Sequence, residues 1–110
     1  MIKRVTIAGL GLMGGSLGFA VKERGHVDQV IGYDITRDIC QRAVERQCVD
    51  VATPHLADAV EDADLVIICT PIDQVVPLAQ AACPFLRKGA VISDVASTKV
   101  QIVKALEVLP

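Results

Sequence analysis

The 110 residues predict an α/β domain in which a parallel sheet is covered by helices on both faces. Three observations carry this. Short apolar runs alternate with stretches of helical periodicity, and short loops join them. Apolar residues make up 52% of the chain and aromatic ones only 3%, with no Trp, so Val, Ile, Leu and Ala must fill the core, as in strands buried on both faces. Gly9, Gly11 and Gly14 cluster at the first strand-to-helix junction.

Each element follows in order. Val5 to Ala8 is an apolar run that ends on the glycine turn. Met13, Leu17, Ala20 and Val21 then recur on one helical face, and Gly25 closes that helix. Val30 to Asp34 reads as a second strand ending on an acid, and a helix over residues 37–47 is expected to bury Ile39, Ala43 and Val44. Val49 to Ala52 makes a weak third strand, broken by Pro54. Residues 56–63 predict a short helical turn ahead of Leu65 to Cys69, the strongest strand pattern in the chain. Pro71 forces a turn, and a helix starts near Asp73 with Val75, Ala79, Ala82, Cys83 and Leu86 in one stripe. Pro77 is expected near its first turn, where a missing donor costs little. Gly89 ends the connection to a strand over 90–95, and residues 98–108 predict a last helix.

Right-handed crossovers between such elements give a doubly wound, Rossmann-type parallel sheet of strand order 3-2-1-4-5. A complete dinucleotide-binding fold has a sixth strand, so residues 1–110 are expected to form one such domain, truncated before the sixth strand, as the N-terminal part of a longer enzyme.

Charge and cysteine content exclude several functions. Eleven Lys and Arg against thirteen Asp and Glu leave a net charge of -2 and no basic run, so nucleic acid is not an expected partner. No apolar run approaches the ~18 residues of a membrane span, and no export signal is visible. Cys40, Cys48, Cys69 and Cys83 are spaced 8, 21 and 14 apart, which fits neither a CxxC pair nor a zinc site. They read as reduced core-fillers in a cytoplasmic protein, with no metal site.

The glycines carry the chemistry. At GxGxxG spacing, Gly9 allows the tight turn, Gly11 lets backbone approach a pyrophosphate, and Gly14 lets helix and strand pack closely. The first helical turn, Leu12 and Met13 included, offers free N–H groups and a partial positive charge to phosphates. Asp34 lies twenty residues past Gly14 at a strand end, where a carboxylate can accept both adenosine-ribose hydroxyls. The competing reading is that the glycines only permit a turn and that Asp34 caps the next helix. Gly15 and Gly18 serve packing, and Ser16 either donates to phosphate or is an ordinary first-turn serine. Because its carboxylate repels a 2′-phosphate, Asp34 favours NAD. NADP stays open through Thr36 and Arg37, just beyond the strand.

The run Gly9 to Leu17, the segment Cys69-Thr70-Pro71 and the segment Ser93 to Lys99 together resemble the prephenate and arogenate dehydrogenases. Ala43 to Gln47 and Val49-Asp50 share the likeness, which extends over all 110 residues. The resemblance implies oxidative decarboxylation of prephenate or arogenate in tyrosine biosynthesis, with hydride passing to a nicotinamide cofactor. It implies that Thr70 and Pro71 line the nicotinamide side. Ser97 would orient the catalytic histidine and the substrate hydroxyl, against a plain reading as a helix N-cap with Lys99 and Gln101 solvated beyond it. Asp94 either holds that loop or ends its strand. In the family the catalytic histidine follows the sixth strand in a Gly-His-Pro segment, which would fall beyond Pro110. His26 and His55 are expected to be structural or solvated. The helical domain that covers substrate and forms the family's homodimer is likewise expected to lie beyond these residues, so the 110 residues alone are expected to bind cofactor without turnover. The alternatives are the N-terminal domain of another NAD-dependent dehydrogenase, of β-hydroxyacid type, and a stand-alone dinucleotide-binding module.

Overall fold

The computed structural model describes residues 3–25 and 27–94. Its strands are β1 (Arg4–Ala8), β2 (Gln29–Tyr33), β3 (Val51–Thr53), β4 (Leu65–Ile68) and β5 (Val91–Asp94). The helices are α1 (Leu12–Arg24), α2 (Arg37–Glu45), α3 (Leu56–Val60) and α4 (Ile72–Ala82), the last extended by a 3-10 turn at Cys83–Phe85. All strand pairs are parallel and the order is β3-β2-β1-β4-β5, as the alternating pattern predicts.

The strand alternation sorts the core into two layers. Val5, Ile7 and Val30 face α1 and α2, joined by Leu10, Cys40, Ala43 and Val49. Ala8, Val66 and Ile68 face the other way, against Ala59, Val60, Val75, Ala79 and Ala82 of α3 and α4. Thr6 breaks the apolar run of β1 and is nonetheless fully buried; its hydroxyl donates to the Ala59 carbonyl at 2.6 Å, tying the end of α3 to the central strand. Thr6→Val keeps the shape and strands that carbonyl, so it should lower stability by about 1–2 kcal/mol in denaturant titration.

Several expectations change in detail. The inward face of α1 is not Met13, Leu17, Ala20 and Val21: Met13 and Ala20 are exposed, while Gly14 and Gly18 are buried between half-buried Leu17 and Val21. The helix comes so close that a Cβ on Gly18 would lie 2.3 Å from the Cys48 carbonyl oxygen, and this contact turns the glycines inward. In α2, Cys40 and Ala43 are buried and Val44 is exposed, with the Cys40 thiol donating to the Asp34 carbonyl at 3.2 Å. The third strand begins at Val51 rather than Val49. Val49 is core, and Asp50 grips β2 from both sides: its N–H donates to the Val30 carbonyl and its carboxylate accepts the Val30 N–H, each at 2.8 Å. That carboxylate replaces a ladder carbonyl, so strand pairing starts at Val51.

The short helix ends at Val60, and α4 begins at Ile72. Pro77 is the sixth residue of α4, past its first turn, and removes one ladder bond to the Asp73 carbonyl. Both residues are exposed, where water can serve that carbonyl. The expected stripe holds, with Val75, Ala79 and Ala82 buried and Cys83 and Leu86 half-buried. The last helix, Val95, Ser97 and His26 lie outside the described residues.

Candidate cofactor site

The site forms where β1 lies between β2 and β4 and the connections leave in opposite directions, the place where open α/β sheets bind ligands. After Ala8 the chain turns at Gly9, whose φ of +101° suits glycine and whose N–H donates to the Tyr33 carbonyl at 2.8 Å. A Cβ on Gly9 would lie 3.0 Å from Thr70 Cγ2 and 3.1 Å from the Cys69 carbonyl carbon. The turn after β1 thus rests directly on the turn after β4. A Cβ on Gly14 would lie 1.8 Å from the Gly9 carbonyl oxygen, so α1 is pressed against its own leading turn.

Gly11 differs from both. A Cβ there would meet nothing within 4 Å. It is the N-cap of α1, with no side-chain cap, so the first N–H groups of the helix, those of Leu12, Met13 and Gly14, face an open approach. The Leu12 side chain is 91% exposed and that of Met13 59%, so these residues matter here through their backbone.

Asp34 joins the two turns. One carboxylate oxygen accepts the Leu10 N–H and the other the Thr36 N–H, both at 3.0 Å. Each oxygen keeps a further lone pair for a ligand hydroxyl. Of the competing readings, helix capping is not met: the Thr36 N–H that Asp34 accepts belongs to the N-cap residue of α2, which has no side-chain cap, and the bond to Leu10 reaches across 24 residues to the glycine turn. Thr70 supplies an independent sign: its Oγ1 is buried with no hydrogen-bond partner. Such an orphan costs about 1–3 kcal/mol unless a ligand satisfies it. Burial pushes the neighbouring Cys69 thiol up to about 11, so it stays protonated and serves packing rather than attack.

Pro71 is exposed at the N-cap of α4 beside Thr70. Arg37 opens α2, exposed and without an ion pair among the described residues; it borders a shallow hollow of about 330 Å3 with Cys40, Gln41, Ala52 and Pro54. The structure therefore gathers Gly9, Gly14, Asp34 and Thr70 into one contact network, leaves Gly11 open beside it, and sets Arg37 apart. Ser97 lies outside the described residues, and His55 is exposed at the start of α3. Sequence reasoning missed Leu10 and Gly32. A Cβ on Gly32 would lie 2.7 Å from Leu10 Cδ1, so the glycine in β2 makes room for the side chain beneath the turn. A glycine inside an otherwise apolar strand was the available signal.

Residues 17–109 match the family model described as the nucleotide-binding domain of prephenate dehydrogenase. The chain belongs to this family. It is 36% identical over 107 residues to the cyclohexadienyl dehydrogenase of Zymomonas mobilis, covering 97% of this chain and 36% of that protein. Synechocystis arogenate dehydrogenase superposes with a TM-score of 0.88 at 36% identity, over 94% of this chain and 37% of that one. Prephenate dehydrogenase from Aquifex aeolicus, in complex with hydroxyphenyl propionate and NAD+, superposes with a TM-score of 0.89 at 27% identity, over 97% of this chain and 38% of that one. The chain thus spans little more than a third of the length of these relatives. Family membership makes it a nucleotide-binding domain of the prephenate dehydrogenase type, and the sheet order and glycine turn agree with that assignment. Among the described residues no helix is long and apolar enough to cross a membrane, and no group of three or more His, Cys, Asp or Glu could hold a metal.

Proposed function

We propose that this domain is the NAD-binding part of a longer cytoplasmic dehydrogenase, homodimeric when whole, that oxidatively decarboxylates prephenate or arogenate. The observation that carries the cofactor half is the buried, unpartnered Thr70 Oγ1 beside a helix start that has no cap. The residues present fit a dinucleotide. Leu12, Met13 and Gly14 would give backbone N–H groups to its pyrophosphate, with Gly9 and Gly11 keeping the approach bare. Asp34 would accept ribose hydroxyls on its remaining lone pairs, and Thr70 and Pro71 would border the nicotinamide end. Bound there, the nicotinamide supplies the hydride acceptor. Ser97, in the whole enzyme, would hold the catalytic histidine and the substrate hydroxyl in line. Arg37 would bear only on a 2′-phosphate.

On this reading a 2′-phosphate would bring a second negative charge beside the Asp34 carboxylate. Calorimetric titration of the 110-residue chain should show NAD binding roughly tenfold or more tighter than NADP, a difference of at least about 1.4 kcal/mol. Tighter NADP binding would sink the NAD assignment. The same chain should give no prephenate-dependent NADH fluorescence, and a steady rise would refute the assignment of proton removal to residues beyond it.

A further inference from the structure

Gly9, Leu10 and Gly11 join β1 to α1, and only the middle residue has a side chain. The glycines on either side leave the backbone permissive, so Leu10 is the one side chain that can anchor this turn. It points inward, 6% exposed, into the layer that holds Val30, Cys40 and Val49. Its seat is Gly32, in the middle of β2. A Cβ there would lie 2.7 and 3.0 Å from the two δ carbons of Leu10 and 3.1 Å from Val49 Cγ1, so the seat exists only while residue 32 has no side chain.

Asp34 is fixed without help from the turn. Its N–H donates to the Thr53 carbonyl at 3.4 Å, its carbonyl accepts the Cys40 thiol at 3.2 Å, and Oδ1 accepts the Thr36 N–H at 3.0 Å. Only Oδ2 depends on the turn, through the Leu10 N–H at 3.0 Å. Leu10 therefore carries both the anchor of the turn and its bond to the acid. The obstacle at Gly32 also differs in kind from those at Gly14 and Gly18, where an added carbon would meet backbone oxygen. Here it would meet the end of a flexible side chain, so a methyl group at 32 leaves β2 in place and displaces Leu10.

We propose that Leu10, seated on Gly32, is the positioning residue of the cofactor site: it holds the glycine turn at the height where Asp34 keeps its carboxylate aimed at the adenosine-ribose hydroxyls. This role rests on the NAD reading above for its ligand, whereas the seat stands on protein contacts alone. Filling the seat, or emptying it, breaks the bond from Leu10 to Asp34 and lets the carboxylate turn away. Recognition of the ribose then weakens although neither residue touches the cofactor through its side chain.

The 110-residue chain is compared with Gly32→Ala, Leu10→Ala and the double variant in two measurements. Hydrogen exchange of the Leu10 amide, followed by NMR, should quicken roughly tenfold or more in each single variant while the amides of β1 keep their rates. Calorimetric titration with NAD and with 2′-deoxy-NAD, which lacks the adenosine 2′-hydroxyl, should show the parent preferring NAD roughly tenfold. Each single variant should bind NAD little better than the analogue. General loosening of the fold would weaken both nucleotides alike and leave their ratio unchanged, which overturns the proposal. In the double variant the alanine methyl takes up space that the δ carbons vacate, so its loss of NAD affinity should be smaller than the product of the single losses. Losses that multiply overturn the pairing, as does parent-like Leu10 exchange in a folded single variant. Should Gly32→Ala not fold, Leu10→Ala decides alone, because it empties the seat without crowding it. A parent that does not distinguish the two nucleotides overturns the ribose assignment of Asp34 instead, and the exchange rates still decide whether the seat holds the turn.

Discussion

Gly14→Ala is expected to destabilise the domain by roughly 3 kcal/mol and to lower its melting temperature by about 10 °C or more. The added carbon would sit 1.8 Å from the Gly9 carbonyl oxygen, which is backbone and cannot swing aside. Either α1 lifts from β1 or the turn between them opens, and each movement disrupts the contact of Gly9 with Thr70. Gly15→Ala is the control, because a Cβ there meets only Cys48 Sγ at 3.6 Å, an ordinary contact. That substitution should stabilise the chain by about 0.5–1 kcal/mol, the usual gain of alanine over glycine inside a helix. Adjacent glycines of one helix are thus expected to respond with opposite sign in the same denaturant titration. Two losses of similar size would show that helix packing, and not the Gly9 contact, sets the response.

Gly11→Val separates folding from binding. A side chain at Gly11 meets no atom of the protein within 4 Å, and the backbone there has φ -67° and ψ -162°, open to any residue. Its melting temperature should stay close to that of the parent. The new side chain would nonetheless occupy the approach to the α1 N-terminus, so NAD affinity should fall roughly a hundredfold, about 2.7 kcal/mol. Parent-like NAD affinity in a folded Gly11→Val chain would place the phosphates elsewhere.

The contrast between these two glycines shows what the sequence made legible. The alternation of apolar runs and helical stretches yields all five strands in their order, and the GxGxxG spacing with Asp34 points to the sheet edge where the turns after β1 and β2 meet. The inward face of α1 was hidden because periodicity counts side chains, whereas this helix packs through the backbone of Gly14 and Gly18. The start of β3 was hidden because Asp50 puts a side-chain oxygen where the ladder would use a carbonyl. Cys40 replaces Val44 in the core because its thiol reaches the Asp34 carbonyl. No local pattern announces that Asp34 holds the Leu10 N–H, since the two residues meet only once β1 and β2 pair.

That last bond has an evolutionary consequence. The residue that would refuse a 2′-phosphate is also the one that anchors the glycine turn. Replacing Asp34 with a small neutral residue, the obvious route to NADP use, would free the Leu10 N–H and loosen the surface on which either cofactor must lie. On the proposed NAD assignment, a change of cofactor calls for two substitutions, one at Asp34 and another that restores an acceptor to Leu10, and single-site variants should lose NAD before they gain NADP.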